Sequence, residues 1–169
     1  MACATAFFRI FRQRLHCFPE VKTALRKLRQ NSMKIGIFTD VPYGMPRDLV
    51  LEDIRAASLE DSFDVLLTSR DIGSRKPAVK TLAALAGQLV CQAHEMVYVG
   101  NEKKDVEAAQ AFGCYSILID RKPHGLNWGQ DRTITSLDEL EFSAGGVKSK
   151  PFPLKPESKR TDRSRLRKL

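Results

Sequence analysis

The sequence predicts an α/β domain built on a parallel sheet covered by helices on both faces. Three observations carry that prediction. Short apolar runs ending in turn residues alternate with amphipathic stretches along most of the chain. Hydrophobic residues make up 43% and charged residues 28% of 169 residues, enough apolar material for one real core. The net charge of +8 is not spread over that core. Nine Lys and Arg against Glu157 and Asp162 place +7 of it between Lys148 and Leu169, so the rest of the chain is near neutral.

The elements follow in order. Phe7, Ile10, Phe11 and Leu15 fall at helical spacing with Arg9, Arg12 and Arg14 between them. An acid-free, Arg-containing start also matches a mitochondrial transit peptide in composition, but the helix is the reading adopted. Pro19 sits where a second helix can start, and Val21, Leu25 and Leu28 give it an apolar face up to Gln30. Lys34 to Thr39 reads as a buried strand, and Pro46 opens a helix through Leu49, Val50 and Ile54. Asp64 to Thr68 is the next strand, followed by a polar loop with Gly73 and a helix from Pro77 carrying Leu82, Leu85 and Leu89. Met96 to Val99 is a third strand. The helix from about Lys104 to Phe112 should stop at Gly113. Tyr115 to Ile119 is a fourth strand, and Ser136-Leu137-Asp138-Glu139 has the pattern of a capping box on a short final helix. After Gly145-Gly146 the composition turns to Lys, Pro, Ser and Arg, which cannot build a core and is expected to be disordered.

Composition also excludes. No apolar run is long enough for a transmembrane helix. Cys3, Cys17, Cys91 and Cys114 lie far apart without a C-x-x-C, which suits reduced thiols in the cytoplasm. Cys91 and His94 have a spacing that metal ligands use, but no second pair follows, so a helix end is the better reading. The basic tail has Phe152 as its sole aromatic, which argues against specific nucleic-acid binding.

In a parallel sheet of this kind the site lies at the carboxyl ends of the strands. Three of those ends carry candidate chemistry. Thr39-Asp40 offers a hydroxyl and backbone N–H groups to a phosphoryl oxygen, though Thr-Asp also simply ends strands. Lys76, just before Pro77, offers a point charge to a phosphate, or is a solvated loop lysine. Gly100-Asn101-Glu102-Lys103-Lys104-Asp105 places oxygen-bearing side chains where they could hold a hard cation such as Mg²⁺, or merely start a helix.

In this order and rough spacing the three segments resemble motifs two, three and four of the haloacid dehalogenase (HAD)-like hydrolases. The resemblance extends through Val97-Tyr98-Val99-Gly100-Asn101, Asp105-Val106-Glu107-Ala108-Ala109, Phe112-Gly113 and Ile117-Leu118-Ile119-Asp120-Arg121. Ile134 to Leu140 is similar to the end of such a domain, and Phe18-Pro19-Glu20-Val21 to the exit from the family's helical cap. It covers about Phe7 to Phe142. It implies a Rossmann-like three-layer core over residues 19–145, a cap remnant over 1–18 and a tail over 146–169.

The resemblance further implies a Mg²⁺-dependent phosphatase of small phosphorylated metabolites. Thr39, Asp40 and Lys76 would bind the phosphate, Lys76 would also serve catalysis, and Asn101 and Asp105 would hold the metal. The family acts through a nucleophilic aspartate in an Asp-x-Asp pair at the tip of its first strand, and no Asp-x-Asp occurs here. The resemblance therefore implies a chain truncated before motif one and inactive by itself. In the family that strand lies between those matching Lys34–Thr39 and Met96–Gly100. A sheet lacking it is expected to need an N-terminal segment or a partner strand. The other reading is a non-catalytic binding or regulatory remnant. Asn101 also departs from the family's more usual aspartate, which leaves less negative charge for a metal.

Overall fold

The computed structural model describes residues 15–42, 45–143 and 146–147. The helix expected around Phe7 to Phe11 and the basic tail from Lys148 lie outside the described residues.

Helix α1 (Val21–Gln30) starts after the Pro19 turn, where Val21 N–H donates to the Phe18 carbonyl at 3.2 Å. It leads to β1 (Gly36–Thr39), α2 (Arg47–Ala56) and β2 (Val65–Thr68). One helical turn, α3 (Ser69–Ile72), follows, then α4 (Lys80–Leu89), β3 (Val97–Gly100) and α5 (Lys103–Phe112). Gly113 ends α5 in a left-handed conformation at φ +87°, as the sequence predicts. Strands β4 (Tyr115–Ile119) and β5 (Arg132–Ile134) come next. A 3₁₀ turn over Leu137–Glu139 then sits behind the Ser136 cap. Two-residue strands β6 (Phe142–Ser143) and β7 (Gly146–Val147) pair antiparallel.

Three details differ from the sequence reading. The loop after β2 contains α3, because Thr68 and Asp71 cap each other: the Thr68 N–H and hydroxyl donate to Asp71 Oδ2 at 2.8 and 2.9 Å. Helix α4 begins at Lys80 rather than at Pro77, since a turn comes first, Ala78 N–H donating to the Arg75 carbonyl at 3.0 Å. Strand β5 is not predicted from the sequence: only its last residue, Ile134, falls in the segment that resembles the domain's end, and Arg-Thr-Ile is too short to show a period.

All pairings among the strands from β1 to β5 are parallel. Strand β1 pairs with β2, setting Thr39 opposite Thr68, and β3, β4 and β5 form a second sheet in that order. Among the described residues no strand joins β1 to β3, so the sheet is in two pieces. The break falls where the resemblance places the family's first strand.

The core beneath is nevertheless one body. Phe38 and Leu67 from the first piece and Met96 and Tyr98 from the second share a cluster with Leu82, Leu85 and Leu89 of α4 and Ala108 and Ala109 of α5. Leu82 is 0% exposed, and a Leu→Ala change at such a site typically costs about 2–5 kcal/mol. On the other face Val97, Val99 and Ile119 pack against Ile117, Ile134 and Leu140. In the β3–β4–β5 piece both faces are therefore covered, as the alternation predicts. Helix α4 lies close on β1: a Cβ at Gly36 would meet methyl carbons of Leu85 and Leu89 at 2.9 Å.

Candidate functional site

Lys76 stands at the break. Its ammonium is 5.6 Å from the ring centroid of Phe38 on β1 and 5.9 Å from that of Tyr98 on β3. Its Nζ lies 2.7 Å from Asp105 Oδ1 and donates to the Tyr98 phenol oxygen at 3.3 Å. The Lys76 and Asp105 side chains are only 9% and 4% exposed, so this is a buried pair and not a surface one. The sequence alternative of a solvated loop lysine is thereby removed. Burial pushes the Tyr98 phenol far above its ordinary pKa, and the Asp105 and Asp40 carboxylates add to the shift, so it stays protonated.

Asp105 is fixed from two sides. Its Oδ2 accepts the backbone N–H groups of Asn101 and Glu102 at 3.0 and 2.9 Å, which closes the turn between β3 and α5. A Cβ on Gly100 would stand 2.2 Å from Asp105 Cβ and 2.6 Å from its Oδ2. Gly100 is required by this close approach and takes no left-handed φ. Asn101 itself is exposed, and its recorded hydrogen bond is the backbone one to Asp105.

Asp40, at the tip of β1, is drawn into the same place. Its Oδ1 accepts the Lys76 backbone N–H at 3.2 Å, and its Oδ2 faces Lys104 Nζ at 3.6 Å. The carboxylate is 4% exposed. The neighbouring Val41 N–H is not free for a ligand, because it donates to Ser69 Oγ at 3.0 Å. Lys104 also pairs with Glu102 at 2.6 Å, and that hydrogen bond raises its pKa.

Of the five residues the sequence singles out, the structure brings Asp40, Lys76 and Asp105 together. Thr39 precedes Asp40 on β1, and Asn101 lies at the rim of the turn. Tyr98 and Lys104 complete the site and were not assigned from the sequence. A tyrosine inside an apolar strand and a lysine in a run of charges carry no distinctive signal.

The donor set bears on the implied metal. Asp40 Oδ2 and Asp105 Oδ1 are buried carboxylate oxygens without a hydrogen bond, the Lys76 contact to Asp105 being an ion pair outside hydrogen-bond angles. Buried anionic oxygens of this kind suit a hard cation, and Asn101 can add an amide oxygen. Among the described residues no three His, Cys, Asp or Glu side chains converge, so the protein groups here make only a partial shell. Cys91 falls between the end of α4 and the 3₁₀ turn Ala93–Glu95 and His94 within that turn, where Glu95 accepts the Gln92 N–H at 2.8 Å, a helix-end arrangement.

The family model of haloacid dehalogenase-like hydrolases matches residues 4–119. The chain belongs to that family. As a HAD-like chain it is 34% identical over 113 residues to a phosphoglycolate phosphatase of Yersinia pestis, a match covering 67% of this chain and 46% of that protein. A phosphoglycolate phosphatase of Salmonella typhimurium is 26% identical over 123 residues, covering 73% and 46%. The crystal structure of a HAD phosphatase from Thermococcus onnurineus superposes with a TM-score of 0.68 at 27% identity, covering 78% of this chain and 59% of that one. The chain thus spans about half the length of the curated relatives it matches. None of the described helices is long and apolar enough to cross a membrane.

Proposed function

We propose that this HAD-like chain carries the phosphate- and metal-binding half of a cytoplasmic phosphatase of small phosphorylated metabolites. The observation that carries the reading is Lys76, a buried ammonium at the carboxyl end of a parallel sheet, paired to Asp105 and bounded by Asp40. An ammonium has three N–H donors. Tyr98 engages one and the Asp105 carboxylate pairs with the charge, so N–H donors remain for a phosphoryl oxygen. The Thr39 hydroxyl is the second phosphate donor. Asp40 acts through its main chain, since its carboxylate would repel a phosphate and is already engaged with Lys76 N–H and Lys104. Asp105 and Asn101 would hold Mg²⁺, whose chemistry when bound is to neutralise charge on the phosphate oxygens.

The groups of this chain bind and orient, and hydrolysis needs a carboxylate nucleophile that they do not include. We infer that a strand from outside the described residues closes the gap between β1 and β3 and delivers it, either from an upstream segment or from a partner. Two parallel half-sheets over one shared core support this. By itself the chain is expected to be inactive.

The test is hydrolysis of an aryl phosphate with Mg²⁺ by this chain and by a version extended upstream. Turnover by the extended version alone, abolished by Lys76→Ala or Asp105→Ala, is the expected result. Turnover by the short chain would overturn the account of the nucleophile. Inactivity of both would sink the phosphatase reading.

A further inference from the structure

The Lys104 side chain belongs to the site, and the proposed chemistry gives it no task. Its ammonium lies 2.6 Å from Glu102 Oε2 and 3.6 Å from Asp40 Oδ2, so one charge serves two carboxylates. The two are held differently. Glu102 is exposed and its side chain can move. Asp40 is buried, and its Oδ1 is fixed by the Lys76 backbone N–H. Asp40 Oδ2 has no hydrogen bond. A buried anionic oxygen is costly unless a cation compensates it, and an ammonium 3.6 Å away does so incompletely. A bare Mg²⁺ would approach to about 2.1 Å.

The geometry also lets the ammonium leave. Glu102, Lys104 and Asp105 share the first turn of α5, which is fixed where Asp105 Oδ2 accepts the Glu102 N–H at 2.9 Å. From that turn Lys104 reaches across to Asp40 at the tip of β1. Its side chain is partly exposed, so it can swing into solvent without unpacking the core, whereas the buried Lys76 cannot. Three carboxylates (Asp40, Glu102 and Asp105) against Lys76 and Lys104 give the cluster a charge of −1. With Lys104 withdrawn it becomes −2. Three such side chains do not converge on one point, so no tight metal cage outcompetes the lysine.

Resting on the metal-binding part of the phosphatase reading, we propose that Lys104 is a tethered cation that competes with a divalent metal ion for Asp40 and Glu102. With the ammonium in place those two carboxylates are blocked, and the intact chain holds Mg²⁺ or Mn²⁺ loosely. Entry of the metal ion sends Lys104 out to solvent.

The test is titration of the full chain with Mn²⁺, free ion being read by electron paramagnetic resonance, which needs no catalysis. Lys104→Met keeps most of the stem and removes the charge. It should tighten Mn²⁺ binding about tenfold, the effect of deleting one unit charge several ångströms from a dication. Lys103→Met removes the same charge from the next residue, an exposed one paired with Glu107 at 3.4 Å, and should change the affinity less than about twofold. A second measurement on the unmodified chain does not depend on any variant folding. Brief acetylation with acetic anhydride, read by peptide mass spectrometry, should label Lys104 more heavily when Mn²⁺ is added and Lys103 equally with and without it. Equal Mn²⁺ affinities in all three chains, or Lys104 labelling that Mn²⁺ leaves unchanged, would overturn the competition while a metal at Asp105 and Asn101 stands. If none of them binds Mn²⁺, even in the upstream-extended version, the metal reading falls and the competition with it.

Discussion

The two halves of the split sheet hold their loops by different means. In the β3–β4–β5 half the ties are buried or densely shared. Ser116 is 1% exposed, and both its N–H and its hydroxyl reach Asp131 Oδ2, at 2.8 and 2.7 Å. Gln110 donates to the Gly129 carbonyl at 2.7 Å, and one oxygen of Glu139 accepts from Thr135 and Ser136. In the β1–β2 half Val41 and Ser69 share a buried hydrogen bond at the carboxyl ends, but the tie at the opposite ends of the strands is a partly exposed carboxylate. Asp64 accepts the Ile35 N–H at 2.6 Å and Arg29 Nη1 at 2.7 Å, with its side chain 33% exposed. Exposed charge pairs contribute little and respond to salt, whereas buried hydrogen bonds contribute more and do not. The half that carries Thr39 and Asp40 should therefore be the more responsive to solution conditions.

The largest expected effect lies on the joint between the halves. Asp105→Ala leaves the Lys76 ammonium buried without its partner and frees two N–H groups, a loss of about 3–5 kcal/mol. Chemical denaturation of the described domain measures it, and a loss under about 1 kcal/mol would show that the pair is not buried in solution. Gly100→Ala forces a Cβ into Asp105 and should cost about 1–3 kcal/mol or somewhat more. Full stability in that variant would mean the β3–α5 turn can move, and the rigid half would lose its definition. Ser116→Ala removes the hydroxyl that both donates to Asp131 and accepts from its N–H, for about 1–3 kcal/mol.

The smallest effect is in the other half. Arg29→Ala should cost no more than about 1 kcal/mol, and less in high salt. A salt-independent loss larger than Ser116→Ala would reverse the comparison. The same carboxylate sets a pH response. The Asp64 pKa is lowered, first by the Ile35 N–H and then by Arg29, against the cost of desolvation. Its stabilisation is thus complete above the unfolded value of about 3.9 and is lost as pH falls through the lower folded value. Amide exchange at Ile35 should rise in that acid range before exchange at Ser116 does. Simultaneous opening of both would contradict the difference between the halves.

Much of the fold was readable because its periods are long enough to count. The helices carrying Leu82, Leu85 and Leu89, and Val106 with Ala109, repeat their buried face over 10 residues each. Gly113 and Ser136 marked ends by local chemistry alone. Strand β5 has three residues, and no period can be read from three. Helix α3 was legible in principle, since Thr68 and Asp71 stand at capping-box spacing, with aspartate in the place more often held by glutamate. At the site, Lys76 and Asp105 could be named because their chain context is distinctive. That they form a salt bridge depends on a turn between β3 and α5 and a loop from β2 meeting in space. Tyr98 becomes part of the site only through that meeting. A glycine at the end of a strand suggests a sharp turn, but the demand on Gly100 comes from the Asp105 carboxylate, a contact that no local pattern encodes.

Lys76 has one further consequence. It touches Phe38 on one half-sheet and Tyr98 and Asp105 on the other. An anion that recruits this ammonium therefore acts on the joint itself, and occupancy and the stiffness of the joint become two faces of one equilibrium. By linkage, whatever locks the halves together must tighten anion binding by the same factor by which the anion tightens the lock.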